Sequence, residues 1–168
     1  LDEITNLAEE HDAMIFVDDC HGEGVLGGGR GIVSHFGLQG RVNFEVGSYS
    51  KALGVQGGIL AGSEDVRNHA LNHSRSWLLS GSQPPGVAAA QKASIEVLMS
   101  EPEHVEKLWK NTNYFRKELT SLGFDTGVST TPIIPVMCGE SITAQNLSKE
   151  LRKEGVMVGA IVFPMVAA

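Results

Sequence analysis

Only two cysteines, Cys20 and Cys138, occur in 168 residues, and they form no C-x-x-C pair. A disulfide framework and a cysteine-rich zinc module are therefore excluded, and a reducing compartment is the expectation. Positive charge is also scarce: 13 Lys and Arg stand against 20 Asp and Glu, a net charge of −7. That balance disfavours a nucleic-acid footprint, whose affinity comes from neutralising phosphates. A single bound phosphate is still compatible, since backbone amides and a helix N-terminus can hold one. No apolar run reaches the roughly 18–20 residues that span a bilayer, and the opening LDEITNLAEEH is too acidic for a signal peptide. These absences together predict a cytoplasmic protein with no nucleic-acid and no membrane partner. Prolines number six, and no G-x-y period accompanies them, so collagen and proline-rich linkers are out. The first residue is Leu and the last stretch, 161–168, is an apolar run without a stop signal, so both ends read as cut.

What the chain does have is glycine, at 20 positions, and a set of short apolar runs that end abruptly in ionisable groups. Leu1, Ile4, Leu7 and Ala8 recur at helical spacing over residues 1–11. Residues 13–17 (AMIFV) form an apolar run without alternation, the pattern of a strand buried on both faces of a parallel sheet. It gives way to Asp18, Asp19, Cys20 and His21, then to glycines 22, 24, 27, 28, 29 and 31 of an irregular loop. A second run, 42–46, ends in Gly47-Ser48-Tyr49-Ser50-Lys51, and a third, 57–61, leads to Ser63, a helix N-cap candidate before Glu64. Helices are expected over 64–78 and 86–99, separated by Ser80-Gly81-Ser82-Gln83-Pro84-Pro85. Pro102 opens a long helix whose stripe runs through Val105, Leu108, Trp109, Thr112, Phe115, Leu119 and Leu122 to Gly123. After Phe124 the pattern predicts a strand at 133–137, a helix at 142–154 and a strand at 156–163, a second α/β unit. The expected organisation is a large-domain portion over 1–100, a connecting helix over 101–123 and a partial small domain over 124–168.

Ligands of open parallel sheets lie at the carboxyl ends of strands, and here two such ends deliver Asp18 with His21 and Ser48 with Lys51. A lysine in a Gly/Ser-rich turn is either a solvated loop cation or a partly desolvated nucleophile or base. A carboxylate one residue beyond a buried strand needs a cation or a protonated ring nitrogen, unless it caps a helix or pairs with Arg30. His21 is either structural or faces the same cleft. The hydroxyls of Ser48, Ser50, Ser80 and Ser82 suit a phosphate cradle, and equally any tight turn. Asp18, Asp19, Cys20, His21 and Glu23 crowd enough donors for a metal-dependent hydrolase, although adjacent ligands on one short segment rarely converge, so no metal is expected. Gly22-Glu23-Gly24-Val25-Leu26-Gly27 matches the letters of a dinucleotide fingerprint but puts an acid where a pyrophosphate approaches. Walker A and G-x-S-x-G patterns are absent. Trp77 and Trp109 are expected in the core, and both cysteines as small buried fillers.

The combined string is more specific than its parts. Val17-Asp18-Asp19-Cys20-His21-Gly22-Glu23-Gly24, Gly28-Gly29-Arg30-Gly31 and Gly47-Ser48-Tyr49-Ser50-Lys51-Ala52-Leu53-Gly54 occur in this order. Together with Thr131-Pro132-Ile133-Ile134-Pro135-Val136 and Glu154-Gly155-Val156, they resemble the α-oxoamine synthases over nearly the whole chain. These are pyridoxal 5′-phosphate enzymes of the aspartate-aminotransferase-like superfamily, fold type I. The resemblance implies an α/β fold of that type and a homodimeric acyltransferase condensing an acyl-CoA with a small amino acid. It gives Lys51 the role of the lysine that holds the cofactor, Asp18 that of the partner of the pyridine nitrogen, and His21 a place beside the ring. Ser48 matches a phosphate contact, and Ser80 and Ser82 fall in the segment that reaches the neighbouring subunit's phosphate. Ile161-Val162-Phe163-Pro164 resembles the branch that joins acetyl-CoA to glycine, giving 2-amino-3-oxobutanoate and CoA. The alternative branch joins pimeloyl-CoA to alanine with loss of CO2. An aminotransferase of the same superfamily and a non-catalytic fragment are the remaining alternatives. The family's N-terminal cofactor-stacking segment and its C-terminal carboxylate-binding arginine have no counterpart here.

Overall fold

The computed structural model describes residues 1–166. They fall into two compact units, Leu1–Asn111 and the segment from Thr112 onward. The first holds α1 (Asp2–Glu10), β1 (Phe16–Asp18), a 3-10 turn (Gly27–Gly29), α2 (Ile32–His35), β2 (Phe44–Ser48) and β3 (Gly58–Gly62). There follow α3 (Glu64–His73), α4 (Arg75–Leu78), α5 (Pro85–Ser100) and α6 (Glu103–Ser121), which crosses the boundary between the units. The second unit adds α7 (Ser141–Lys153).

β1 and β2 pair in parallel, with Asp18 opposite Val46, so their carboxyl ends share one edge. β2 and β3 pair antiparallel, Ser48 opposite Gly58. The sheet is thus mixed where a parallel one was expected. The residues between β2 and β3 are too few for the dozen-residue crossover that a parallel pair requires.

Nor is β1 buried on both faces. Ile15 and Val17 join Val33 and Leu38 in a core cluster that Leu1, Ala8, Ile32 and Val42 partly cover. Phe16, on the other face, is 61% exposed and stacks on Phe44 at 5.8 Å. Only part of the α1 stripe turns inward, since Ile4 and Leu7 are exposed. Arg41 fixes this helix to the approach to β2 through a two-pronged bond to Glu9, at 2.7 and 2.6 Å, and a 2.8 Å bond to Asn6.

Ser63 caps α3 as expected, its hydroxyl accepting from the Val66 amide at 3.3 Å. The predicted 64–78 helix breaks at Ser74, whose extended backbone (ψ 106°) ends α3 and starts α4. Trp77 on α4 is exposed rather than in the core, whereas Trp109 on α6 donates its indole N–H to the Val25 carbonyl at 2.9 Å. Cys20 and Cys138 are half-buried rather than buried.

In the second unit α7 forms as expected, but the described segments 133–137 and 156–163 contain no strand. They carry scattered bonds, Met137 N–H to the Asp125 carbonyl at 2.9 Å and Ser148 Oγ to the Val158 carbonyl at 2.8 Å, and neither has a ladder partner among the described residues. A strand exists only as a pair, and apolar pattern alone does not supply the partner. No helix among the described residues is long and apolar enough to cross a membrane.

Candidate active site

The shared carboxyl edge of β1 and β2 places Asp18 beside the turn that carries Lys51. Asp18 accepts the Cys20 backbone N–H at 3.0 Å on Oδ1. Hydrogen bonds from the Cys20 thiol and amide hold its carboxyl below the usual carboxylate range, and the charges of Lys51 and His21 add to that. These three expected residues therefore share one electrostatic neighbourhood. The same carboxylate pushes the Cys20 thiol up, which makes the neutral thiol the resting form.

Ser48 ends β2, and its hydroxyl meets that of Ser50 at 2.7 Å. Between them Tyr49 turns inward, 7% exposed, with its ring held by burial and its N–H given to the Gly57 carbonyl at 3.0 Å. Inside this closure the Val55 N–H bonds to the Tyr49 carbonyl at 2.7 Å and the Gly54 N–H to the Lys51 carbonyl at 3.0 Å. Lys51 itself is exposed at the head of the turn. Buried Leu53 anchors the turn, and Ser94 of α5 donates to its carbonyl at 2.7 Å.

Ser80 and Ser82 lie in the exposed loop between α4 and α5. The Ser80 hydroxyl bonds to the Trp77 carbonyl at 3.3 Å, and Ser82 has φ 64°, a left-handed conformation unusual for serine. No hydrogen bond joins either to Asp18, His21, Ser48 or Lys51 among the described residues. The loop reaches the site only indirectly, through Gln83.

Two groups behind the edge, Asp19 and Glu23, entered the sequence reading only as donors for the metal alternative. Asp19 is 4% exposed and accepts the Ile32 amide at 2.7 Å. A Cβ at Gly31, already at φ +92°, would lie 2.0 Å from Asp19 Oδ2. Glu23 packs its carboxyl against the backbone of Gly47, and with Asp19, Arg30 and Glu45 lines a cavity of about 180 Å³. Burial pushes the carboxyls of Asp19, Glu23 and Glu45 up; the charge of Asp18 adds to this at Asp19, that of Asp19 at Glu23, and those of Asp19 and Glu23 at Glu45. Among the described residues, no group of three or more His, Cys, Asp and Glu is arranged to hold a metal ion.

The family model for aminotransferase class I and II matches residues 1–167. The chain belongs to that family. An 8-amino-7-oxononanoate synthase from Symbiobacterium thermophilum is 51% identical over 99% of this chain and 43% of its own length. The Bacillus subtilis protein named 8-amino-7-oxononanoate synthase 1 is 48% identical, again over 99% of this chain and 43% of its own length. Among solved structures, a serine palmitoyltransferase from S. paucimobilis with bound PLP–myriocin aldimine superposes with a TM-score of 0.88 at 31% identity, covering 95% of this chain and 42% of that one. An 8-amino-7-oxononanoate synthase from Francisella tularensis, at 20% identity and TM-score 0.81, shares the fold over 93% of this chain and 48% of its own. The chain spans less than half the length of the relatives it matches. The similarity to α-oxoamine synthases thus extends from motifs to the whole chain, and the fold is that of the aminotransferase class I and II family.

Proposed function

We propose that the full-length protein is a pyridoxal-phosphate-dependent acyltransferase that joins pimeloyl-CoA to alanine, releasing CoA and CO2. The observation that carries the reaction class is the meeting of the Lys51 amine, the ionised Asp18 carboxylate and the paired Ser48 and Ser50 hydroxyls at one sheet edge. The residues fit the cofactor: they offer an amine for its aldehyde, a carboxylate for its ring nitrogen and hydroxyls for its phosphate. The choice of acyl group and amino acid rests on the names of the relatives, which favour this pair over acetyl-CoA with glycine. Residues 161–164 are the one feature that favours acetyl-CoA and glycine. The same reading places the enzyme in the cytoplasm as a homodimer, with a large domain over 1–100 joined by the helix 101–123 to a small domain.

When bound, the cofactor supplies an electron sink for the pair released as a Cα bond breaks. Asp18, kept ionised by its bonds to Cys20, holds a proton at the ring nitrogen. Lys51 Nζ would hold the cofactor at its aldehyde and would serve as the base that moves the Cα proton. His21 would orient the ring, and Ser48 and Ser50 at the end of β2 would bind phosphate oxygens. Ser80 and Ser82 are assigned to the phosphate of the partner subunit's site.

Borohydride reduction of the cofactor-loaded full-length protein, followed by peptide mapping, tests the assignment. The expected adduct is on Lys51 and is lost in Lys51→Ala. An adduct on another lysine refutes the site. Asp18→Asn is expected to keep the adduct and to lose turnover on the order of 10²–10³-fold, the scale of removing one electrostatic partner of a developing charge. Free CoA released from pimeloyl-CoA with alanine, and not from acetyl-CoA with glycine, supports the substrate pair. The reverse result replaces it, and turnover with a keto acid but no thioester points to aminotransfer. A monomer by light scattering with full activity overturns the homodimer.

A further inference from the structure

Gln91 sits in a helix of small and apolar residues, yet it is only 7% exposed. Its amide makes three bonds there. Nε2 donates to the Gln56 carbonyl at 2.7 Å and to Gln83 Oε1 at 2.9 Å, and Oε1 accepts from Gln83 Nε2 at 2.9 Å. Gln56 immediately precedes Gly57, whose carbonyl closes the Lys51 turn on Tyr49. Gly57 stands at φ +115°, and a Cβ there would lie 2.4 Å from Gln91 Nε2 and 3.2 Å from Gln83 Oε1. The backbone has approached the amide pair as closely as glycine allows. Three residues along α5, Ser94 holds the Leu53 carbonyl. The helix therefore grips the turn at two carbonyls, and of these two side chains it is Gln91 that also grips the loop carrying Ser80 and Ser82.

We propose that Gln91, paired with Gln83, is a positioning residue that locks the Lys51 turn and the 80–85 loop into one mechanical unit. A buried amide left half-paired costs more than its bond contributes, so loss of either partner loosens both segments rather than one. The functional consequence, that Lys51 and the loop serines are set together, rests on the proposed cofactor site. The coupling itself does not.

The test uses amide exchange at Gly54 and Val55, which are bonded only within the turn, together with limited proteolysis within 79–83, in the full-length protein. Gln83→Leu, an exposed residue on the far loop, is expected to speed exchange at both amides roughly fivefold, the factor for one lost hydrogen bond. Gln91→Leu should do the same and raise loop cleavage by a similar factor. The double variant should add nothing further, since the two side chains act as one contact. Ser94→Ala is expected to speed Gly54 exchange without changing loop cleavage. Wild-type exchange in Gln83→Leu, or additive effects of the two glutamine substitutions, overturns the coupling. Because exchange is read without turnover, absence of a Lys51 adduct in the wild type removes the proposed function and leaves this result standing.

Discussion

Asp18 and Asp19 are chain neighbours with opposite environments. Successive side chains of an extended segment point to opposite faces, so Asp18 emerges at the exposed edge beside Lys51 while Asp19 enters the backing of the sheet. The sequence reads here as an apolar run without alternation, so it does not say which aspartate faces the covered side; that depends on Gly31 and α2 folding back over it. Glu45 shows the consequence. Its pKa is raised above the ordinary value of 4.5, first by burial and then by the charges of Asp19 and Glu23. A raised carboxyl makes the folded state bind protons more tightly than the unfolded one. Its contribution to stability is fully present below about pH 4 and is lost as the pH rises through the folded-state value. Glu45→Gln is therefore expected to raise the melting temperature of the full-length protein at pH 8 and to change it little at pH 4. A lower melting temperature at pH 8 would show that the carboxylate is stabilising instead. Gly31→Ala should destabilise at every pH by roughly 1–3 kcal/mol, because left-handed backbone and an approach of 2.0 Å to Asp19 Oδ2 both oppose a Cβ.

At the scale of elements, the helices were read closely and the strands unevenly, for a physical reason. A helix closes its hydrogen bonds within its own segment, so caps and spacing describe most of it. Ser63 is an example: the cap is visible in the sequence and present in the structure. No residue of α3 is buried, so the cap matters more here than packing does. Ser63→Ala is expected to cost about 1 kcal/mol and to speed exchange of the Val66 amide, with unchanged exchange arguing that the cap is idle. Strands depend on partners that the local sequence does not name. The run at 57–61 found β2 across a short turn, whereas those at 133–137 and 156–163 found none. The candidate site was legible because two strand ends carry its residues in contiguous motifs. Gln91 was not, since its partners lie 8 and 35 residues away in sequence.

For the whole molecule, surface area is the most informative quantity. The chain exposes 12201 Å², while two separate bodies sharing its 17.9 kDa would expose about 9,600 Å² by the usual scaling of area with mass. The excess includes Phe16, Ile59 and Leu60 on the sheet and Trp77, Leu78 and Leu79 on and just after α4. Among the described residues β1 and β3 each have one strand neighbour and so leave unpaired edges, which template association when nothing covers them. Apolar area left in water carries a cost of about 25 cal/mol per Å², and self-association is the simplest way to relieve it. The 168-residue chain, expressed by itself, is therefore expected to bind a hydrophobic dye such as ANS and to run as aggregates in size exclusion. The full-length protein, more than twice as long if it matches its relatives, should do neither at the same concentration. A dye-silent, monomeric chain would mean that these faces close on one another in solution, and the sheet edge bearing Asp18 and Lys51 would then have to be assayed on the chain itself.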